Sequence, residues 1–366
     1  MKLNTQFMGL VIGISLSFLE ACVTTPMISS TSAPSNMQTP APISSSVGGA
    51  HSTPTSSLII AQSTQLALPT DTTEWVLPNN HIGQVAYSPD GEYLAILSSS
   101  GLLLYQASSM VLVGSMGQTQ NIYSFAWSPD GQELATGSGD GIIRIWTVAT
   151  QNEVVKWHES SEVLSMAWSP DGARLASGLL ENAIHIGDVE TANDLANINM
   201  DIGSGSVNSL SWSQDGKQLA SGHTGRVRIW DTKTWQVISD IEDDDFYVRA
   251  IYSVAWSPDA KWLATGVQDG VLLIWNASTG QKAMTLVGHT ENVISLAWSH
   301  DGKLLFSGSY DAVRIWDTST EEQLGILDLS TKDISIYSIS LSPDGKQVAV
   351  GTYEGFLILW DVTQLP

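Results

Sequence analysis

The chain has 366 residues, of which 37 are Asp or Glu and 15 are Lys or Arg, giving a formal net charge of −22. That balance excludes a nucleic-acid binder, because phosphate backbones are held by clustered Lys and Arg. With 43% hydrophobic and 14% charged residues the chain can bury a large core, and its single cysteine, Cys22, excludes an internal disulfide and any multi-cysteine metal or iron–sulfur site.

Residues 1–21 read as a signal peptide. Lys2 gives a weak positive start, an apolar stretch runs from Phe7 to Phe18, and Glu20 ends it. The stretch suits a signal-peptide apolar region and falls short of the roughly 20 residues that a membrane-spanning helix needs. Leu19-Glu20-Ala21-Cys22 follows and resembles the bacterial lipobox, in which a Leu and a small residue precede a cysteine that is lipidated. Leu19, Ala21 and Cys22 match that pattern; Glu20 departs from it. The resemblance implies lipid attachment at Cys22, membrane contact through that anchor only, and a place in the bacterial cell envelope outside the cytoplasm. Residues 22–70 contain no Asp, Glu, Lys or Arg and are dominated by Ser, Thr, Pro and Ala. Such a stretch cannot offset its ordering entropy by burial, which predicts a disordered tether.

From residue 71 to 366 the chain repeats itself. Ser-Pro-Asp-Gly or a near copy begins at Ser88, Ser128, Ser169, Ser213, Ser257, Ser299 and Ser342, at spacings of 40 to 44 residues. A period in the forties with several short strands per unit marks a propeller blade. Trp146, Trp230, Trp275, Trp316 and Trp360 supply a second register, with Tyr105 and Gly187 standing at that position in the first and third repeats. Ile122-Tyr123-Ser124-Phe125-Ala126-Trp127 alternates small and bulky residues, which predicts a strand with Tyr123, Phe125 and Trp127 on one face. Pro-Asp-Gly then gives a turn, and Asp140-Gly141 a hairpin between the second and third strands. The expected fold is all-β, a seven-bladed β-propeller. Its last repeat lacks an outermost strand, and Glu74-Trp75-Val76-Leu77 is a strand without a blade of its own, so the N-terminal strand is expected to close the ring.

These residues resemble the WD-repeat β-propeller family. The sixth repeat is the fullest match, with Gly288-His289, Ser307, Asp311 and Trp316-Asp317. The resemblance implies that His289, Ser307, Asp311 and Trp316 form a buried hydrogen-bond chain. Tyr123, Tyr252 and Tyr337 occupy one position near the start of three first strands, and Tyr310 and Tyr353 each precede the acidic residue of a strand-two to strand-three turn. In the family both positions open onto one end of the ring, which implies a partner-binding face; the two turn tyrosines are expected to be exposed.

The chemistry of a catalyst is not visible. Gly137-Ser138-Gly139-Asp140-Gly141 looks like a phosphate loop, but a strand follows it where a helix should. The histidines other than His289 are scattered without metal-ligand spacing and read as incidental. The acidic run Glu242-Asp243-Asp244-Asp245 could attract calcium, yet its spacing matches no calcium loop, so it reads as a solvated loop. Ten of the 14 tryptophans hold repeat positions, leaving Trp75, Trp157, Trp235 and Trp262 to bind something. The expected function is therefore a monomeric, non-catalytic interaction or scaffolding module with no cofactor and no metal. Apart from Lys2 and Glu20 every charge lies after residue 70, so the acidic field favours a basic protein or peptide partner. The alternatives are a cofactor-binding or enzymatic propeller, and a cytoplasmic scaffold with an uncleaved anchor.

Overall fold

The computed structural model describes residues 61–62 (backbone only), 72–77, 80–118, 120–200, 205–241, 249–329 and 334–363. Cys22 and the acidic run 242–245 lie outside them. Seven antiparallel sheets follow one another as the blades of a β-propeller. The first blade is typical, with strands Ile82–Tyr87, Tyr93–Ser98, Gly101–Gln106 and Val111–Met116 hydrogen-bonded in that order from the ring axis outward.

The Ser-Pro-Asp-Gly repeats make the turn from first to second strand. In the first blade the Ser88 hydroxyl donates to Asp90 Oδ1 at 2.6 Å, and that oxygen accepts the Glu92 N–H at 2.9 Å. Gly91 takes φ +74°, a conformation that costs a side chain about 1–2 kcal/mol. The fifth blade carries Ala260 there, at φ +56°.

The core lies between blades. One cluster joins Ile82, Val85, Leu94 and Ile96 of the first blade to Ala349, Leu357 and Leu359 of the seventh. Close approach across this seam needs Gly351, where an added Cβ would stand 2.5 Å from Ile82 Cγ2. At the lower end of the ring, the end carrying the Ser-Pro-Asp-Gly turns, tryptophans staple the second to sixth blades each to its predecessor. Trp127 Nε1 donates to the Ala86 carbonyl at 3.2 Å, and Trp168, Trp212, Trp256 and Trp298 repeat the bond at 3.0–3.1 Å. Tyr87 replaces the tryptophan at the closing seam, its hydroxyl donating to Gln347 Oε1 at 2.9 Å.

The ring closes as the sequence implies. Thr72–Val76 is the outer strand of the seventh blade, pairing antiparallel with Phe356–Asp361 from Thr72↔Trp360 to Val76↔Phe356. Two residues of the expected tether, Ala61 and Gln62, add a further short strand on Val76 and Trp75. Ala61 and Gln62 thus cover the outer edge of this strand at its Trp75–Val76 end.

Candidate functional site: an aromatic arc at the upper end

The strict alternation read into the first strands does not hold. In the second blade Ile122 faces Ser138 but Ser124 faces Gly137, so Tyr123 is the extra residue of a β-bulge. The same shift leaves Gly83, Leu164, Tyr252, Ile294 and Tyr337 as bulged residues in their blades. A bulge re-aims a side chain out of the regular pleat. The sequence thus places tyrosines at a display position that period-two reasoning assigns to packing between blades.

The upper end of the ring also carries the turns between second and third strands, and there the two sets of tyrosines meet. Tyr310 of the sixth blade lies 5.5 Å from Tyr337 of the seventh, ring centre to ring centre, and Tyr337 lies 5.4 Å from Tyr353. Tyr353 stacks on His81 of the first blade at 4.0 Å, with the rings 14° from parallel. His81 Nδ1 is also hydrogen-bonded to the Tyr353 carbonyl. Tyr252 adjoins the arc on the fifth-blade side, where its hydroxyl accepts from Asn292 Nδ2 at 3.4 Å.

The turn tyrosines were expected to be exposed; both are half-buried, because each ring covers its neighbour. Tyr123 stands apart from the four. It is buried on its own blade, its ring filling the space a side chain on Gly139 would need and its hydroxyl accepting from Asn121 Nδ2 at 2.9 Å. His81, read as incidental, is the residue that sequence reasoning missed. It precedes its strand directly, whereas His289 sits four residues before the next one, so the repeat register does not flag it.

Carboxylates surround the arc. Burial, then Asp269, pushes the Tyr252 hydroxyl up to about 12. Burial, the neighbouring tyrosines and Glu291 push Tyr310 up, and burial, Tyr353 and Glu354 do so for Tyr337. Glu162 adds to burial at Tyr123. Among the described residues none of Glu162, Glu291 and Glu354 forms an ion pair, whereas Arg144, Arg228 and Arg314, all on third strands, each contact an aspartate.

The sixth-blade residues form a continuous chain. Trp316 Nε1 donates to Ser307 Oγ, Ser307 meets His289 Nε2, and His289 Nδ1 meets Asp311 Oδ1, each at 2.8 Å. With Nδ1 donating to Asp311, the neutral imidazole accepts the Ser307 proton at Nε2, and the Ser307 oxygen accepts from the indole. Burial lowers the His289 pKa accordingly, beyond what Asp311 restores. Burial alone would raise Asp311, but bonds from His289, Ser309 and the Thr290 N–H hold it well below the usual carboxylate range.

Two other histidines are structural rather than incidental. In the fourth blade His223 reaches Ser221 Oγ from the same strand at 2.8 Å, and Trp230 Nε1 donates to that oxygen at 2.8 Å. In the third blade Glu159 accepts from Trp157 Nε1 at 2.9 Å and from Ser177 Oγ at 3.1 Å, and meets His185 Nδ1 at 2.7 Å. His185 Nε2 lies 2.9 Å from Asp194. Trp157 is therefore not free to bind a partner. It is 8% exposed and packs over Gly187, filling the space of the tryptophan that the third repeat lacks. Trp75, Trp235 and Trp262 are half-buried against blade cores. At the lower end a cavity of about 870 Å³ is lined by Trp212, Trp256, Trp298, Pro258, Pro343 and His300.

Comparison with known proteins agrees with this architecture. The family described as "WDR19 first beta-propeller" matches residues 163–313, and that described as "WD domain, G-beta repeat" matches residues 110–147 and 322–361. The chain carries WD40 repeats. It is 31% identical over 143 residues to "Transcription factor unc-37" of Caenorhabditis elegans, covering 39% of this chain and 22% of that protein. It is 29% identical over 120 residues to "THO complex subunit 3" of Arabidopsis thaliana, covering 31% and 37%. It is 28% identical over 144 residues to "Small ribosomal subunit protein RACK1y" of Oryza sativa subsp. japonica, covering 37% and 41%. The matched part of the chain thus covers less than half the length of each of these relatives.

Proposed function

We propose that this protein is a non-catalytic interaction module that holds a protein or peptide partner on the upper end of its propeller. The observation that carries the reading is the arc Tyr310–Tyr337–Tyr353–His81, which runs across three blades. Tyrosines supply rigid contact area with a polar tip and are enriched at binding hot spots. Glu291 and Glu354, which form no ion pair among the described residues, favour a basic partner. Two relatives support the class by name, one being a subunit of a complex and the other a protein of the small ribosomal subunit. The lipobox-like Leu19, Ala21 and Cys22 support a lipid anchor that places the propeller outside the cytoplasm of a bacterial cell.

The test is capture of partners from solubilised cell envelope by the full chain, by a Tyr310→Ala/Tyr353→Ala variant, and by an Ile238→Ser/Val287→Ser control on exposed outer strands. The arc variant should lose a partner that the wild type and the control keep, with its melting temperature within a few degrees of theirs. Equal capture by all three would reject the arc. In a separate arm Cys22→Ser should leave the membrane fraction; unchanged fractionation and mass would reject the anchor.

A further inference from the structure

Six of the first strands carry a bulged residue near their upper end, and one of these residues has no side chain. Gly83 occupies in the first blade the place that Tyr337 holds in the seventh and Tyr123 in the second. The first strands of the first and seventh blades are tied directly, Val85 N donating to Ser338 Oγ at 3.1 Å. A Cβ built on Gly83 would meet nothing within 4 Å, so the missing side chain leaves a notch rather than a space filled by a neighbour. On one side of that notch the aromatic arc ends at His81, two residues along the chain.

The end of the arc has a defined polarity. His81 Nδ1 faces the Tyr353 carbonyl, which only accepts, so Nδ1 carries a proton. His81 is exposed, and the side of its ring away from Tyr353 continues a nearly parallel stack. Glu354 adds charge on the seventh-blade side, with one carboxylate oxygen engaged by the Ser335 N–H at 3.0 Å and the other without a hydrogen bond among the described residues. Glu162 contributes negative potential on the second-blade side, beside Tyr123.

From the open notch, the parallel ring faces and these carboxylates, we infer that the mouth beside Gly83 receives an arginine side chain of the partner. The planar guanidinium extends the His81–Tyr353 stack and donates to Glu354. An ammonium satisfies the charge but not the plane: a guanidinium stacks on aromatic faces and presents several donors in a fixed fork, whereas lysine is a compact, strongly hydrated point charge. This inference rests on the upper end being the partner face and narrows it to one contact.

The test uses the full chain, titrated calorimetrically with hexa-arginine, hexa-lysine and hexa-glutamate peptides. Hexa-arginine should bind at least tenfold tighter than hexa-lysine, and hexa-glutamate should not bind. Gly83→Trp, which starts from a Cβ that meets nothing within 4 Å, should weaken hexa-arginine at least tenfold with unchanged thermal unfolding. Glu354→Gln should weaken it as well. Equal binding of the arginine and lysine peptides, or indifference of hexa-arginine to Gly83→Trp in a folded protein, would overturn the inference. Envelope capture by Gly83→Trp separates the two readings. If the partner still depends on Tyr310 and Tyr353 but ignores Gly83→Trp, the face stands and the arginine contact falls; if it ignores the tyrosines too, the face itself is wrong.

Discussion

His223 and His289 meet the same need from different places in their repeats. Each gives an acceptor to the serine that holds the blade's indole, His289 from the loop before the sixth blade and His223 from within the second strand of the fourth. The substitution is imperfect. His289 places its other nitrogen on Asp311, whereas His223 Nδ1 is buried without a partner. Burial, reinforced by Arg228 and Arg226, lowers the His223 pKa to about 3. The unfolded chain takes up a proton near pH 6.5. The stability contributed by neutral His223 is therefore complete above that value and falls toward pH 3, by about 1.4 kcal/mol per pH unit. His185 works in the other direction. Burial lowers its pKa, but Glu159 and Asp194 outweigh burial and raise it, so its contribution is present below pH 6.5 and lost as pH rises through its folded value. We expect the urea midpoint to drop between pH 7 and pH 5 by more in the wild type than in His223→Gln, whose amide can still bond Ser221. Parallel pH dependence in the two proteins would show that the native state admits the proton.

At the scale of strands and blades, what the sequence discloses depends on whether a residue serves its own repeat or a neighbouring one. The Ser-Pro-Asp-Gly turns are local: each hydroxyl, carboxylate and glycine acts within five residues, so spacing alone reveals seven blades. The bulges are set by the partner strand, and the row Ile122–Trp127 looks regular until its register with Glu133–Ser138 is known. Trp157 is harder still, because it sits on the outer strand of the second blade and compensates for Gly187 in the third. Closure is legible for a simple reason: the last repeat is one strand short and Glu74-Trp75-Val76-Leu77 is one strand in excess. That strand covers the edge of Phe356–Asp361 and buries Leu77 with the closing seam. Deleting residues 72–77 should uncover the edge, abolish a single cooperative unfolding transition and promote aggregation, whereas deleting 23–58 should leave both unchanged. Scanning calorimetry decides it, and equal transitions for the two deletions would mean that the ring does not depend on this strand.

For the whole molecule the charge and the arc divide the work of binding between rate and lifetime. The net −22 falls entirely on the part of the chain after residue 70, since Lys2 and Glu20 cancel. Much of it is fixed by architecture, as in the Asp of every Ser-Pro-Asp-Gly-type turn, whose carboxylate is held by the preceding serine. In the last four blades a lysine also lies 2.9–3.4 Å from that aspartate, which moderates the field at the lower end. Glu291 and Glu354 around the arc, and Glu162 beside Tyr123, have no such partner among the described residues. A field of this kind acts over about 10 Å at 0.1 M salt and about 3 Å at 1 M, so it governs encounter with a basic partner more than the lifetime of the complex. The stacked rings act only on contact and govern dissociation. Raising salt from 50 to 500 mM should therefore lower the association rate about tenfold or more and leave the dissociation rate within about threefold. Tyr353→Ala should do the reverse, speeding dissociation with little effect on association. Surface plasmon resonance with the captured partner separates the two constants; an association rate indifferent to salt would remove electrostatic steering from the account, and a Tyr353→Ala effect confined to association would remove the arc from the contact.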